Sequence, residues 1–180
     1  MRLLAISGSL RSGSYNTALL DAAAIDHGSI AEFVVWGGLA DVPAFDEDID
    51  AVPPPVAELR SEIARADAVL IATPEYNGSV PGALKNALDW ASRPYAENVL
   101  RDKPVAVIGA SPGLFGAVWA QADLRRILGR IGARVDERDL PVAQAHEAFA
   151  ADGRLRDPKL ATALRSIVGD LMSQAAQRAA

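Results

Sequence analysis

The 180-residue sequence predicts a three-layer α/β sandwich in which helices cover both faces of a five-stranded parallel sheet. Two observations predict this fold class. Short apolar runs alternate strictly with segments of helical periodicity, five times along the chain. The runs are apolar throughout rather than at every second residue, which is typical of strands buried on both faces. The length favours a single domain over residues 1–180.

The first strand is predicted over residues 3–6, where Leu-Leu-Ala-Ile forms a continuous apolar run. Residues 16–24 follow as a helix, because leucine and alanine dominate them. Residues 31–36 have Phe-Val-Val-Trp at their centre and are predicted to form the second strand. Residues 37–55 contain several acids and three consecutive prolines, so a long loop is expected there.

The middle of the chain continues the alternation. Apolar residues three and four positions apart predict a helix over residues 56–66. The apolar run at residues 68–72 predicts the third strand, and residues 82–92 the third helix. Residues 104–110 form another apolar run and are predicted as the fourth strand, and residues 117–131 as the fourth helix.

A weaker fifth strand is predicted over residues 133–139, whose low apolar content places it near an edge of the sheet. Residues 160–175 close the chain as an amphipathic helix. Five strands joined by right-handed crossovers fit the flavodoxin-like order 2-1-3-4-5. In that order ligands bind at the carboxyl ends of the strands, near the switch point between strands 1 and 3. The loops after these two strands should therefore lie side by side.

Composition excludes several classes of function. A net charge of −5 does not provide the basic face of a nucleic-acid-binding protein, so no nucleic-acid partner is expected. There is no cysteine, which excludes disulfides and thiolate chemistry. His27 and His146 are far apart in sequence and expected on the surface, so no metal site is predicted. No apolar stretch reaches the roughly 20 residues needed to cross a bilayer, and a cytoplasmic protein without a membrane partner is expected.

The loop after the first strand, residues 8–17, has the composition of a phosphate-binding loop. It is rich in glycine and serine and opens a helix, whose free N–H groups and partial positive charge favour an anion. The hydroxyls of Ser9, Ser14 and Thr17 can add donors, and Arg11 can neutralise charge. An ordinary turn in which serine caps the helix remains the alternative. The loop is neither a Walker loop nor a G-x-G-x-x-G fingerprint.

Two further loops are candidates for a ligand platform. Residues 73–82 place an aromatic ring and several amides between Pro74 and Pro81, which fix the backbone dihedral φ. Such a rigid segment can line the edge of a flat heterocycle, although a loop capped by Ser79 is the alternative. Residues 109–116 contain three glycines, which allow close approach of the backbone to a ligand. A phosphate loop beside a ring platform predicts a bound mononucleotide.

Three segments carry a resemblance to a known family and occur in the family's order. They are GSLRSGSYN from Gly8, TPEYNGSVPGALKNALDW from Thr73, and PVAVIGASPGLFG from Pro104, the last followed by Gln121, Leu124 and Arg125. Through these segments nearly the whole chain resembles the NADPH-dependent FMN reductase family of flavodoxin-like proteins. It is especially similar to the bacterial quinone and chromate reductase branch.

The resemblance implies non-covalently bound FMN, NADPH or NADH as the reductant, and a homodimer or homotetramer. The family's phosphate loop corresponds to Ser9, Leu10, Arg11, Ser14, Tyr15, Asn16 and Thr17. Its flavin-ring loop corresponds to Pro74, Glu75, Tyr76, Asn77 and Gly78. Its third contact corresponds to Ser111, Pro112 and Gly113.

The resemblance has one departure and one further implication. Some quinone and chromate reductases carry an aromatic residue where this chain has Gly78. The glycine would leave the ring pocket more open. The helix after TPEYN usually helps to form the family's dimer. Trp90, Arg93 and Tyr95 are therefore expected near a subunit contact.

The implied function is an FMN-dependent NAD(P)H oxidoreductase that reduces quinones or similar small acceptors by ping-pong hydride transfer. Azo dyes, metal oxyanions and free flavin are the other acceptors considered. The cofactor carries the chemistry, so no protein residue is assigned a catalytic role. Three alternatives stay open: a flavodoxin-like electron carrier, a flavin reductase that supplies reduced FMN to a monooxygenase, and a non-enzymatic binding fold.

Overall fold

The structure, a computed structural model, describes residues 1–179, which form six strands and five α-helices. The strands are β1 (Arg2–Ser7), β2 (Glu32–Trp36), β3 (Ala68–Ala72), β4 (Pro104–Ala110), β5 (Arg134–Val135) and β6 (Pro141–Val142). The helices are α1 (Tyr15–His27), α2 (Pro54–Arg65), α3 (Gly82–Ala91), α4 (Val118–Ile131) and α5 (Pro158–Ala179). Single 3₁₀ turns occur at Gly38–Asp41 and Tyr95–Glu97.

The sheet confirms the predicted order. Its strands run β2-β1-β3-β4-β5, and every neighbouring pair is parallel. The chain reverses its direction of winding between β1 and β3, which lie side by side in the sheet. The carboxyl ends of β1, β3 and β4 therefore form one edge, where their three following loops meet.

The predicted fifth strand over residues 133–139 is wrong in its extent, because the chain forms two short strands there instead. β5 pairs with the amino end of β4, and β6 pairs with its carboxyl end through Gly109 and Ala110. Between them the carboxylate of Asp136 accepts hydrogen bonds from the backbone N–H and the guanidinium of Arg138. This local loop takes the chain away from β4 until Pro141.

Two apolar layers pack against the sheet, which confirms the three-layer sandwich. One layer joins the sheet to α1 and α5 and includes Leu19 and Leu164. The other joins it to α2, α3 and α4 and includes Leu59, Leu84 and Leu124. β3 and β4 are buried along their whole length, as expected for central parallel strands.

The long loop before α2 is held against α3 by two side chains of that helix. The indole of Trp90 is buried within the chain, where Nε1 donates to the Pro43 carbonyl at 2.9 Å. Asn86 Nδ2 donates to the same carbonyl at 2.8 Å. The ring and the donor of Trp90 are thus used inside the fold, and the expectation that Trp90 lies near a subunit contact stays a prediction. Arg93 and Tyr95 are exposed, and their expected contact stays a prediction.

His27 also corrects the sequence prediction. It is buried rather than on the surface, and its Nδ1 lies 3.0 Å from the carbonyl oxygen of Ala23. The reason is helical spacing: residue 27 lies one turn beyond Ala23, on the face of α1 that packs into the core. His146 is exposed as expected. Among the residues described, no helix has the length and apolar content needed to span a membrane.

Candidate functional site

The β1–α1 loop is held by its own serine and threonine hydroxyls. Ser14 caps α1, because its Oγ accepts from the backbone N–H groups of Asn16 and Thr17 at 3.2 and 3.3 Å. The Thr17 hydroxyl donates to Ser7 Oγ at 3.0 Å. The loop therefore combines a helix N-terminus with a fixed backbone. No acidic residue occupies the first turn of α1 to oppose an anion.

Arg11 brings a positive charge to this loop. Its guanidinium is exposed and lies over the ring of Tyr15, 4.9 Å from the ring centroid. Its backbone N–H donates to Ser9 Oγ at 3.3 Å. Within the part of the chain that the structure describes, no carboxylate forms an ion pair with Arg11. Its charge is therefore available to a ligand.

Asn16 joins the β1–α1 loop to the end of β4. Its Nδ2 donates to the Ala110 carbonyl at 3.0 Å, and its Oδ1 accepts from the Ala110 N–H at 2.9 Å. The side chain is buried, so both bonds form away from water. Both polar ends of the amide are thus used in positioning the two loops.

The β3–α3 loop, which was predicted to line a flat ring, contains a tight hairpin. Tyr76 and Ser79 exchange two backbone hydrogen bonds at 3.0 and 3.1 Å. The two residues between them, Asn77 and Gly78, have positive φ of 53° and 76°. This geometry is a type I′ turn, for which Asn-Gly is the favoured sequence. The Asn-Gly pair was visible in the sequence and could have predicted the turn.

Two residues of the same loop fasten it to α4. Glu75 Oε2 accepts from the backbone N–H groups of Trp119 and Ala120 at 3.1 and 3.2 Å. α4 begins after a residue in the left-handed conformation and has no side-chain cap of its own, so Glu75 supplies that cap from another loop. Ser79 Oγ donates to Asp123 Oδ2 at 2.7 Å. The Ser79 hydroxyl, and then the Arg126 guanidinium, hold the pKa of Asp123 below its usual value.

The β4–α4 loop is fixed from beneath by Gln121, which is fully buried. Its Nε2 donates to the carbonyls of Gly116 and Leu140 at 3.0 and 3.3 Å, and its Oε1 accepts from the Leu140 N–H at 3.0 Å. A Cβ on Gly109 would lie 2.7 Å from Gln121 Nε2, so the close packing of strand against amide requires glycine there. At the start of this loop, Ser111 Oγ accepts from the Gly113 N–H at 3.1 Å.

The three loops enclose one cavity of about 460 Å³ at the carboxyl edge of the sheet. Ten of the fifteen residues predicted as site residues line it: Ser9, Arg11, Ser14, Tyr15, Asn16, Pro74, Glu75, Tyr76, Ser111 and Pro112. The other five do not line it: Leu10, Thr17, Asn77, Gly78 and Gly113. Ala110 is a lining residue that the sequence prediction missed. It has no functional group to mark it, because only its backbone takes part.

The family profile described as NADPH-dependent FMN reductase matches residues 1–147 of this chain. The chain belongs to the NADPH-dependent FMN reductase family. Its match includes all three loops that line the cavity. Membership makes the protein an oxidoreductase, which confirms the class of activity predicted from the sequence motifs.

Individual relatives agree with this family. An NAD(P)H-dependent FMN reductase of Pseudomonas aeruginosa is 44% identical over 164 residues, which cover 88% of this chain and 86% of the relative. A quinone reductase of Pseudomonas putida is 42% identical over 147 residues, covering 80% and 74% of the two chains. The solved structure of FerB, a flavoenzyme NAD(P)H:(acceptor) oxidoreductase from Paracoccus denitrificans, has a TM-score of 0.87 at 40% identity. It covers 98% of this chain and 97% of FerB.

The groups around the cavity have the chemistry that the two ends of FMN require. The N-terminus of α1 and the guanidinium of Arg11 provide the dipole and the charge that a phosphate requires. The loops after β1 and β3 approach closely at Gly8, where a Cβ would lie 3.3 Å from Pro74 Cδ. Pro74 and Tyr76 on one loop and Ser111 on the other line one cavity that is within the size range of small-molecule sites. Among the residues described, no group of three or more His, Asp or Glu side chains is placed to hold a metal ion.

Proposed function

We propose that this chain is an FMN-dependent NAD(P)H oxidoreductase whose acceptors are quinones or similar small molecules. The observation that carries the proposal is the meeting of three loops, after β1, β3 and β4, at one cavity. Relatives that are 45% and 42% identical to this chain are a 2-hydroxy-1,4-benzoquinone reductase and a quinone reductase. One cavity has to receive both the reductant and the acceptor, so the two occupy it in turn, which predicts ping-pong kinetics.

The β1–α1 loop holds the phosphate of FMN in this proposal. Arg11 neutralises its charge, and the backbone N–H groups between Ser9 and Tyr15 donate to its oxygens. Asn16 and Thr17 act from behind the loop: Asn16 fixes it to Ala110, and Thr17 fixes it to Ser7. Leu10 contributes its backbone, because its side chain is exposed.

The ring of FMN lies between the β3–α3 and β4–α4 loops. Pro74, Tyr76 and the hairpin at Asn77-Gly78 present backbone and amide groups to its edge, and the segment from Ser111 to Gly113 forms the facing wall. FMN, when bound, supplies the hydride-transfer chemistry. The protein orients the ring and limits the access of water, and none of its residues acts as a nucleophile. Nothing lies within 4 Å of the position of a Cβ on Gly78, which leaves the rim of the site open.

We also propose the properties that accompany this activity. Residues 1–180 form a single FMN-binding domain, and the protein assembles as a homodimer or homotetramer. Its location is cytoplasmic, where NADH and NADPH are available to it. Its partners are a small-molecule electron acceptor and its own copies, and neither nucleic acid nor a membrane is among them.

A flavin reductase that releases reduced FMN is the second candidate, and one observation favours it. Ser14 Oγ already accepts from the N–H groups of Asn16 and Thr17, so these donors of the phosphate loop are satisfied within the protein. Fewer free donors mean weaker retention of the phosphate. The relative that is 44% identical is an NAD(P)H-dependent FMN reductase, which agrees with this candidate.

The absorbance spectrum of the purified protein tests the proposal. We expect a flavin spectrum that bleaches on anaerobic addition of NADH or NADPH and returns on addition of a quinone. Absence of FMN binding at micromolar FMN, or failure of the quinone to restore the spectrum, would reject it. Ultrafiltration of the reduced protein separates the two candidates. Flavin retained with the protein supports the quinone reductase, and reduced flavin in the filtrate supports the flavin reductase.

A further inference from the structure

Large apolar side chains project into solvent from the β3–α3 and β4–α4 loops, between which the flavin ring is proposed to lie. Tyr76, on the β3–α3 loop, is 52% exposed. On the β4–α4 loop and the first turn of α4, Leu114 is 74%, Phe115 60% and Trp119 51% exposed. A scattered exposed apolar residue is ordinary, but several on neighbouring loops beside a cavity mark a surface that contacts a ligand or a partner.

Phe115 and Trp119 form a pair within this surface. Their ring centroids are 4.9 Å apart with an interplanar angle of 60°. Tilted pairs at this distance are favourable for aromatic rings, so the two side chains stabilise each other's position. Both rings nevertheless keep more than half of their area open to solvent.

The backbone beneath the pair is fixed by the fold. Gly116 has a φ of 57°, and a Cβ on it would lie 2.4 Å from the carbonyl carbon of Pro141. Its carbonyl accepts from the buried amide of Gln121, as described above. The following residue, Ala117, also has a positive φ of 61°. The exposure of the two rings is therefore set by a rigid turn rather than by a loose loop.

Glu75 connects this turn to the cavity. It lines the cavity beside Tyr76, and its carboxylate accepts from the backbone N–H groups of Trp119 and Ala120. The first turn of α4, which carries Trp119, is thus one hydrogen bond away from the wall of the site. The aromatic pair therefore lies beside the cavity, outside its lining residues.

The segment that carries the pair contains no charged residue. The sequence has no charged residue between Lys103 and Asp123, a stretch that contains β4, the whole β4–α4 loop and the first turn of α4. The Glu75 carboxylate is engaged by two backbone donors. The aromatic faces of the pair attract neutral flat molecules, and neither side chain brings a positive charge to a metal oxyanion.

We infer that Phe115 and Trp119 form an acceptor-positioning surface that selects neutral acceptors with fused aromatic rings, such as naphthoquinones. This inference rests on the proposed function and names the acceptor class for the same site. The pair contacts the part of the acceptor that extends beyond the cavity. A single-ring benzoquinone or a metal oxyanion is too small to reach it and gains nothing from it.

The kinetic test compares acceptors in variants of the pair. The measured quantity is the kcat/KM for 1,4-naphthoquinone divided by that for ferricyanide, an acceptor without a ring. We expect Phe115→Ala and Trp119→Ala each to lower this ratio about 3–10-fold, as loss of one aromatic contact predicts. Trp119→Phe should restore most of it. Ile30→Ala is the matched control, because Ile30 is exposed between α1 and β2 at the opposite edge of the sheet.

The outcomes of this test separate the inference from the proposed function. If the wild-type protein does not oxidise NAD(P)H with either acceptor, the proposed function itself is contradicted. A protein that is active with both, but whose ratio is unchanged in both alanine variants, overturns only the assignment of the pair. A reduction of chromate that depends on Trp119 as strongly as naphthoquinone reduction does would also overturn it.

Fluorescence gives a second readout that does not depend on turnover. Trp119 is the exposed tryptophan, whereas Trp36 and Trp90 are buried. We expect 1,4-naphthoquinone to quench the FMN-loaded protein saturably in the absence of NAD(P)H, and the saturable part to disappear in Trp119→Phe. Quenching that rises linearly with quinone concentration would show only collisions and would contradict the inference.

Sedimentation decides whether a second copy of the chain covers the surface instead. We expect the Phe115→Ala/Trp119→Ala double variant to sediment as the wild type does. A double variant that dissociates, while the wild type is an oligomer, would overturn the inference and assign the pair to a subunit interface.

Discussion

Asn16 and Ala110 are joined by two hydrogen bonds across the candidate site. One runs from Asn16 Nδ2 to the Ala110 carbonyl, and the other from the Ala110 N–H to Asn16 Oδ1. The two residues are 94 positions apart in the chain. A side-chain amide therefore acts like a neighbouring strand at the end of β4 and sets the distance between the phosphate loop and the facing wall.

Replacing Asn16 with alanine should destabilise the protein and weaken FMN binding together. The change leaves the buried N–H and carbonyl of Ala110 without partners, which costs about 2–4 kcal/mol. Urea unfolding measures the loss of stability, and titration with FMN measures its affinity. Asn16→Asp is the isosteric comparison: it keeps the acceptor but places an oxygen against the Ala110 carbonyl. Ser12→Ala, in the exposed part of the same loop, should leave both quantities within about 0.5 kcal/mol.

Replacing Arg11 with alanine should weaken FMN binding without destabilising the fold. The guanidinium is exposed and has no carboxylate partner among the described residues, so its loss removes a ligand contact and little else. Loss of a charged hydrogen bond to phosphate corresponds to about 1.5–3 kcal/mol, or roughly a 10- to 150-fold rise in Kd. Riboflavin, which lacks the phosphate, provides the control ligand. Equal losses for FMN and riboflavin would contradict the assignment of Arg11 to the phosphate.

Two glycines should respond to alanine with opposite signs. Gly116→Ala adds a Cβ 2.4 Å from a backbone carbon in a turn with positive φ, so both clash and strain oppose it. We expect Gly116→Ala to lower the free energy of unfolding by at least about 2 kcal/mol and to lower the affinity for FMN. Gly129→Ala lies in α4, where nothing is within 4 Å of the new Cβ, and should stabilise by about 0.5–1 kcal/mol. Thermal unfolding monitored by circular dichroism measures both. A neutral Gly116→Ala would show that the turn can relax.

The sequence predicted the central strands because burial on both faces leaves a local mark. β3 and β4 have the predicted bounds of residues 68–72 and 104–110. The topology rule then placed the three loops at one edge, although each loop alone was ambiguous. The contacts that fix those loops could not be predicted from local sequence, because they join residues far apart in the chain. Glu75 caps a helix 44 residues away, and Gln121 hydrogen-bonds Leu140. The split of the last predicted strand has the same origin, since it depends on where side chains meet after folding.

The Asp136–Arg138 contact should make stability depend on pH in the acid range. Hydrogen bonds from Arg138 hold the pKa of Asp136 below its unfolded value of 3.8. The unfolded chain therefore binds more protons below that value, and the free energy of unfolding falls as pH drops through the folded pKa. The contribution of the carboxylate is fully present above about pH 5. Because Asp136 is buried, we expect Asp136→Asn to lose about 1–3 kcal/mol at pH 7.

Below pH 3.8 the difference in the free energy of unfolding between Asp136→Asn and the wild type should shrink progressively. Urea unfolding of both proteins between pH 7 and pH 3 measures the difference. Asp152→Asn is the matched control. Asp152 has its pKa lowered by contacts with Arg154, but it is exposed, so solvent screens the contact and the two proteins should stay equally stable across the range. A constant difference between Asp136→Asn and the wild type at all pH values would mean that packing rather than charge holds the loop between β5 and β6.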